Sequence, residues 1–240
     1  MRLDKYLADM NAGTRKELKT AIRKGLVTVN GQVIRDAGFH VTGNETISLD
    51  GEEIGYQAFE YYMLNKPAGV ISATEDRRHR TVLDLLGDRR RRDLFPVGRL
   101  DIDTTGLLLI TNDGALAHRL LAPKHHVDKV YRAAVTGTVT ESDIRAFAEG
   151  LRLEDGLTAM PAELRLLEVR QNSAETVSFV EVTIREGKFH QVKRMFEAVG
   201  KKVLTLQRIS MGPLVLDRSL PEGEARPLTE EEIKALLSLS

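Results

Sequence analysis

The spacing of apolar residues changes near residue 60, and this break constrains the fold more than any other feature of the chain. Before it, the periods are short. Leu3, Tyr6, Leu7 and Met10 recur at helical intervals. Thr14, with Glu17 three residues on, forms the signature of a capped second helix. That helix would turn Leu18, Ala21 and Ile22 inward and Arg15, Lys16, Lys19, Arg23 and Lys24 largely outward, with Gly25 ending it. Val27-Thr28-Val29 and Gln32-Val33-Ile34 flank Asn30-Gly31, a strong local signal for a tight hairpin. A third strand is expected around Glu45 to Leu49, closing at Asp50-Gly51, and the polar stretch Gly51 to Gln57 reads as a linker. Residues 1–56 are therefore expected to form one small module.

From Glu60 onward the strands lengthen and helices are interleaved. Tyr61 to Leu64 reads as a strand running into Asn65-Lys66-Pro67, and Leu107 to Thr111 as an apolar strand followed by a short helix over Ala115 to Leu121. Val130 to Val139 and Val177 to Ile184 alternate as strands do, whereas Phe189 to Val199 and Glu230 to Leu239 have helical spacing. Strands outnumber helices and no regular β–α–β alternation occurs. The expected class is α+β: residues 60–240 forming a mainly antiparallel mixed sheet flanked by helices.

Composition narrows the function. With 42% hydrophobic and 29% charged residues, a wholly disordered chain is excluded. No apolar run approaches the ~20 residues of a membrane span, and the charged start Met1 to Tyr6 has no apolar stretch after it, so neither a membrane partner nor a secretion signal is expected. The absence of cysteine removes disulfides and thiolate metal sites and fits a cytoplasmic location. No His-Glu-x-x-His or similar ligand spacing is present, so no metal site is expected. Net charge is zero but unevenly spread: Met1 to Arg35 holds eight Lys/Arg against three Asp/Glu, and acidic residues gather in Glu222 to Glu232. Clustered cations suit phosphate binding through counterion release, although chance unevenness would read the same way. The run Arg89-Arg90-Arg91-Arg92 reads as a solvated loop, with phosphate contact as its functional alternative.

Three segments carry possible chemistry. Asn65-Lys66-Pro67-Ala68-Gly69-Val70 is, by itself, an ordinary turn after a strand. Val97 to Ile110 sets Arg99, Asp101, Asp103, Thr104 and Thr105 just before the apolar strand, a polar loop on a rigid support where catalytic groups tend to sit. An Asp/Thr turn bonding its own backbone is the plain alternative. Asp101-x-Asp103-x-Thr105 also matches the spacing of aspartyl-phosphate phosphatases, but there the apolar strand precedes the aspartates, and here it follows. Arg185 to Phe196 enters a helix with an apolar stripe at Phe189, Val192, Phe196 and Val199 and the polar residues His190, Lys193, Arg194 and Glu197 beside it. A solvated cationic face explains it without function; the functional version pairs one of these cations with a carboxylate elsewhere.

In order, these segments resemble the pseudouridine synthases of the small-ribosomal-subunit type over nearly the whole chain. Arg2-Leu3-Asp4-Lys5-Tyr6-Leu7, the basic helix and Val27-Thr28-Val29-Asn30-Gly31 look like an S4 RNA-binding domain. Leu64-Asn65-Lys66-Pro67, Gly98 to Leu107, Lys129-Val130-Tyr131, Glu186 to Phe196 and Arg226-Pro227-Leu228-Thr229 are similar to the catalytic domain of that family. The resemblance implies that Asp101 is the essential residue, attacking the ribose C1′ or deprotonating the sugar while the base detaches, rotates and rejoins through C5. It implies that Tyr131 packs on the target base and assists proton removal, and that Lys193 pairs with the aspartate. Val192 would lie beside the base, Arg99 would fill the gap left by the extruded uridine, and Lys66 would contribute to substrate binding. Asp103 also matches, in a structural role. Arg2, Lys5, Arg15, Lys16, Lys19 and Arg23 would make the phosphate contacts.

The chemistry agrees with these roles. A uridine in folded RNA must be flipped out, at a cost of a few kcal/mol, and a cation within ~4–6 Å keeps a carboxylate ionised and oriented. Isomerisation calls for no redox or metal cofactor, so none is expected. The expected partner is 16S rRNA or an assembling small subunit, with the chain a monomer. The unbroken Asp101-Ile102-Asp103-Thr104-Thr105-Gly106, the pair His125-His126 and Met1-Arg2-Leu3-Asp4-Lys5 look more like the small-subunit type than its large-subunit (23S) relatives, and that resemblance implies a small-subunit target. A non-catalytic S4-type RNA-binding protein remains the alternative from another class.

Overall fold

A computed structural model describes residues 1–55, 58–87, 91–171 and 175–239. Arg89 and Arg90 of the basic run, and Tyr56 and Gln57 at the end of the expected linker, lie outside the described residues. The chain divides into two compact units, Met1–Glu60 with Leu86–Leu94, and Tyr61–Leu85 with Phe95–Ser240.

The first unit contains α1 (Leu3–Asp9), α2 (Arg15–Lys24), β1 (Val27–Val29), β2 (Gln32–Val33), β3 (Ile47–Leu49) and β4 (Glu52–Glu53). The Thr14/Glu17 capping box is formed, and Gly25 ends α2 in the left-handed conformation at φ 81°. The strands make an antiparallel sheet in the order β2-β1-β3-β4. Two hairpins turn on residue pairs with positive φ, Asn30 (48°) with Gly31 (78°) and Asp50 (53°) with Gly51 (85°). The second hairpin corrects the linker reading of Gly51 to Gln57: Glu52 and Glu53 form an edge strand, Ile54 N–H donates to Ile47 O at 2.7 Å, and the Tyr6 hydroxyl donates to Ile54 O at 2.8 Å. Leu3, Leu7, Leu18, Ile22, Val27 and Ile47 form the core. Burial of Leu18 and Ile22 stabilises α2 against the sheet by ~1.5–3 kcal/mol each. Arg91 is buried and paired with Asp93 at 2.7 Å, so this member of the basic run is not a solvated loop residue.

The second unit runs β5 (Tyr61–Lys66), a 3-10 turn (Val82–Leu85), β6 (Phe95–Pro96), β7 (Thr105–Thr111), α3 (Gly114–Leu121), a second 3-10 turn (Pro123–His125), β8 (Lys129–Thr136), α4 (Glu141–Glu149), β9 (Glu163–Gln171), β10 (Thr176–Ile184), α5 (Gln191–Ala198), β11 (Val203–Met211), β12 (Leu214–Val215), β13 (Ala225–Pro227) and α6 (Glu230–Leu237). Its sheet has the order β13-β5-β7-β11-β8-β10-β9, with β6 added to β7 and β12 to β11. Among the described residues β7–β11 is the only parallel pair, so the sheet is mixed and mainly antiparallel, as expected.

Leu107, Leu108, Leu109 and Ile110 are all fully buried, because β7 is central and covered on both faces. One face meets Leu116 and Leu120 of α3 and Leu236 of α6. Elsewhere in the unit Phe147 of α4 packs on Phe196 of α5, ring centroids 4.9 Å apart. Gly106 sits at φ 97°, where β7 and β11 approach so closely that a Cβ would lie 2.3 Å from Arg208 O. Among the described residues no helix is long and apolar enough to cross a membrane.

Candidate active site

The site is built on the loop between β6 and β7, which the segment after β5 clamps at successive points. Ser72 Oγ donates to Leu100 O at 2.9 Å and accepts from Leu100 N at 3.0 Å. Gly69 N–H donates to Ile102 O at 2.7 Å. Lys66, at the end of β5, donates from Nζ to the carbonyls of Pro67 (2.9 Å), Asp101 (3.0 Å) and Thr104 (2.9 Å). It is 0% exposed. Burial pushes its pKa down to about 8 against the opposing pull of Asp101, Asp103 and Glu222. This corrects the expectation that Lys66 contacts substrate: the ammonium is enclosed and committed to backbone carbonyls, so it holds the loop and presents nothing to a ligand.

Asp101 projects from that loop into a cleft shared with Arg99, Tyr131 of β8, Val192 of α5, His190 and Leu206 of β11. Lys193 Nζ is 3.2 Å from Asp101 Oδ2 and 2.6 Å from Asp103 Oδ1, and His190 Nε2 is 3.6 Å from Asp101 Oδ1. The pairing cation suggested by the sequence is thus Lys193, but it bridges two carboxylates and sits closer to Asp103. Burial works against charge on Lys193; the hydrogen bonds it donates to Asp103 and Asp101 overcome this, and the ammonium's pKa is raised. The same hydrogen bond from Lys193 holds the Asp103 carboxyl below the usual range. Tyr131 is 8% and Val192 4% exposed, whereas Arg99 lies open to solvent. Lys129, two residues before Tyr131, is buried and donates to Val127 O at 2.9 Å; burial and the charge of Arg208 push its pKa down to about 8.

The entry to α5 is fixed by a group that sequence reasoning missed. Buried Glu186 accepts from Met160 N–H at 2.8 Å and from Gln191 Nε2 at 2.7 Å, while Gln191 Oε1 accepts from Lys188 N–H at 3.0 Å. His190 adopts a left-handed backbone at φ 50°, so α5 begins at Gln191 and not at Phe189. Phe189 consequently leaves the expected apolar stripe and stands 74% exposed, and Val192, Met195 and Phe196 make the inward contacts. The signal available for this network was a glutamate and a glutamine five residues apart at a helix entry, a spacing that helical periodicity does not weigh.

The six basic residues expected to meet RNA are all exposed on the first unit. Arg2 makes two hydrogen bonds to Asp4, at 3.0 and 3.1 Å, and Lys19 Nζ is 4.0 Å from the same carboxylate. Asp4 is nearly fully buried, and its pKa is lowered first by the Arg2 hydrogen bond, against burial, and then by the charges of Arg2, Arg15 and Lys19. One buried carboxylate therefore gathers three of the cations; Lys5, Lys16 and Arg23 stand on the same two helices.

Comparison with known proteins agrees with this architecture. Residues 1–47 match the S4 domain and residues 60–198 match the RNA pseudouridylate synthase domain, an RNA-binding module followed by an RNA-modifying one. A solved pseudouridylate synthase superposes with a TM-score of 0.68 at 38% identity, covering 98% of this chain and 99% of that one. An uncharacterised RNA pseudouridine synthase of Bacillus subtilis is 46% identical over 98% of each chain. Ribosomal small subunit pseudouridine synthase A of Escherichia coli is 41% identical, over 99% of this chain and all of that one. Ribosomal large subunit pseudouridine synthase B of Bacillus subtilis is 40% identical, over all of this chain and 96% of that one. The chain belongs to the RNA pseudouridylate synthase family: it is an isomerase that acts on RNA.

Proposed function

We propose that this enzyme isomerises one uridine of small-subunit (16S) rRNA, with Asp101 as the reacting carboxylate. The observation that carries the reading is the Asp101–Lys193 pair, 3.2 Å apart in a cleft that Tyr131 and Val192 also line. Asp101 either bonds to C1′ as the C1′–N1 bond breaks or removes a sugar proton to release the base. In both routes uracil rotates: in the first C5 displaces the Asp101 carboxylate from C1′, in the second C5 adds to C1′ as Asp101 returns the sugar proton, and in either case the C5 proton then leaves with help from Tyr131. Lys193, 3.2 Å away, pairs with the carboxylate and aims it. Val192 flanks the base, and Arg99, exposed at the rim, occupies the space that the extruded uridine vacates. No electrons change hands, so no redox cofactor is called for.

The motif Asp101-Ile102-Asp103-Thr104-Thr105-Gly106 and the small-subunit relative support 16S rRNA, free or in an assembling particle. Residues 1–56, with Arg2, Lys5, Arg15, Lys16, Lys19 and Arg23, act as the RNA-binding domain, positioning residues 60–240 through phosphate contacts that carry little sequence information. A ribosomal RNA substrate fits a cytoplasmic enzyme. The enzyme acts as a monomer. The test is carbodiimide mapping of both rRNAs after incubation with the protein. One new stop in 16S rRNA, lost in Asp101→Asn, is expected. A stop confined to 23S rRNA would overturn the choice of subunit, and a stop retained in Asp101→Asn would overturn the role of Asp101.

A further inference from the structure

Phe189 is the most exposed large apolar side chain among the described residues, at 74%, and both its chain neighbours, Lys188 and His190, line the cleft that holds Asp101. Burying such a ring would return ~1.5–3 kcal/mol. The chain instead places His190 in a left-handed backbone at φ 50°, a conformation uncommon outside glycine, and thereby turns Phe189 away from the core of α5.

The exposed ring is also firmly held. It stacks on the His190 imidazole, centroids 3.7 Å apart and planes inclined by 19°. His190 Nε2 is in turn 3.6 Å from Asp101 Oδ1, so Phe189 stands one imidazole away from the carboxylate. The turn beneath is closed in both directions: Gln191 N–H donates to Lys188 O at 3.2 Å, and Lys188 N–H donates to Gln191 Oε1 at 3.0 Å. Arg194 adds a hydrogen bond to Phe189 O at 3.3 Å. One aromatic face is thus backed by histidine while the ring as a whole is 74% exposed.

We propose that Phe189, braced by His190, is a stacking platform for the nucleobase adjacent to the extruded uridine. Flipping a nucleotide leaves its neighbour without a stacking partner. Proteins that read unstacked RNA supply an aromatic surface in its place, and each base–aromatic stack contributes ~1–3 kcal/mol. The occupant is thus a base of the RNA, not a protein of the ribosomal particle, and the stack offsets part of the cost of extrusion while setting which neighbouring bases are accepted. The proposal rests on the reading of Asp101 as the reacting carboxylate.

The experiment uses full-length enzyme and protein-free 16S rRNA transcript in single-turnover reactions, comparing wild type with Phe189→Ala, Phe189→Leu and Phe189→Trp. Phe189→Ala and Phe189→Leu are expected to lower the rate at limiting RNA by about tenfold, the low part of the stacking range, with a much smaller change at saturating RNA. Phe189→Trp is expected to match wild type. In the Asp101→Asn background, a 2-aminopurine beside the mapped uridine should be quenched on binding, and adding Phe189→Leu should abolish the quench. If Phe189→Leu behaves as wild type in both measurements, the platform is wrong, which is also the outcome if the ring contacts only ribosomal proteins. If Asp101→Asn forms product, the reading of Asp101 fails, while the fluorescence still decides whether Phe189 stacks.

Discussion

Replacing Lys66 with methionine tests how the reacting loop is held. Methionine nearly keeps the volume but removes three donors, from the carbonyls of Pro67, Asp101 and Thr104. Asp101 O keeps the Thr104 N–H at 3.1 Å, so two acceptors, Pro67 O and Thr104 O, lose their donor at ~1–3 kcal/mol each, or about 4 kcal/mol at mid-range. Against this, the variant no longer buries an ammonium. The drop in pKa from 10.5 to about 8 values that burial at about 3.4 kcal/mol, using ~1.36 kcal/mol per unit. The two nearly cancel, so stability at pH 7 should fall by only about 1 kcal/mol or less, read by urea unfolding. Activity should fall further, by about a hundredfold, because Asp101 loses its backbone anchor and displacements of ~1 Å cost that much. RNA affinity through the first unit should be unchanged. The pH dependence gives an independent check. A lysine whose pKa is depressed on folding binds its proton more readily in the unfolded chain between pH 8 and 10.5, so wild-type stability gains from Lys66 as pH rises through that window. Lys66→Met should lack this gain. Wild-type turnover in Lys66→Met would refute the reasoning.

Other perturbations give sharp outcomes. Lys193→Met should lower the single-turnover rate by about a hundredfold, the size seen when a transition-state electrostatic partner is removed, with little change in RNA affinity; equal rates would separate the ion pair from catalysis. Because the Lys193 pKa is raised on folding, the stability that its pairing supplies is complete below the unfolded value near 10.5 and is lost only as pH rises through the higher folded value. The stability difference between wild type and Lys193→Met should thus stay flat from pH 7 to 10, as followed by urea unfolding. Gly106→Ala would set a Cβ 2.3 Å from Arg208 O at φ 97° and should destabilise the second unit by ~3 kcal/mol or more, measured as a fall in Tm. Lys19→Gln with Arg23→Gln should weaken RNA binding and reduce the slope of log K against log salt by ~1–2; an unchanged slope would show that this face of α2 does not meet the RNA.

Features set by local chemistry were legible in the sequence. The Thr14/Glu17 cap, the Gly25 stop and the Asn30-Gly31 hairpin depend on residues within a few positions of one another. The uninterrupted run Leu107 to Ile110 announced a strand covered on both faces. Asp50-Gly51 carried the same turn signal as Asn30-Gly31, but the following Glu52 and Glu53 are too polar and too few to show period-two alternation, so their strand was taken for linker. Helix α4, although it is capped by Thr140 and Asp143, and strands β9 and β11 were also passed over. β9 is exposed along most of its length and so lacks a clean buried face. Motif order brought Asp101 and Lys193 together across 92 residues, where no periodicity could. What motifs cannot convey is which atoms are enclosed: Lys66 was assigned to substrate because it sits in a motif, and its place under the loop follows from three carbonyls that converge only in three dimensions. The outward turn of Phe189 depends on one backbone torsion at His190, which apolar spacing alone misassigned.

The central claim is that Asp101, paired with Lys193, drives exchange of the glycosidic bond from N1 to C5 of a uridine in small-subunit rRNA. Formation of the C5 bond expels the C5 hydrogen, so the most direct measurement is tritium release from 16S rRNA transcribed with 5-tritiated uridine. Release is expected to plateau at one tritium per 16S molecule with wild-type enzyme and to be absent with Asp101→Asn. No release from 16S rRNA by wild type, or release that persists without the Asp101 carboxylate, would contradict the claim.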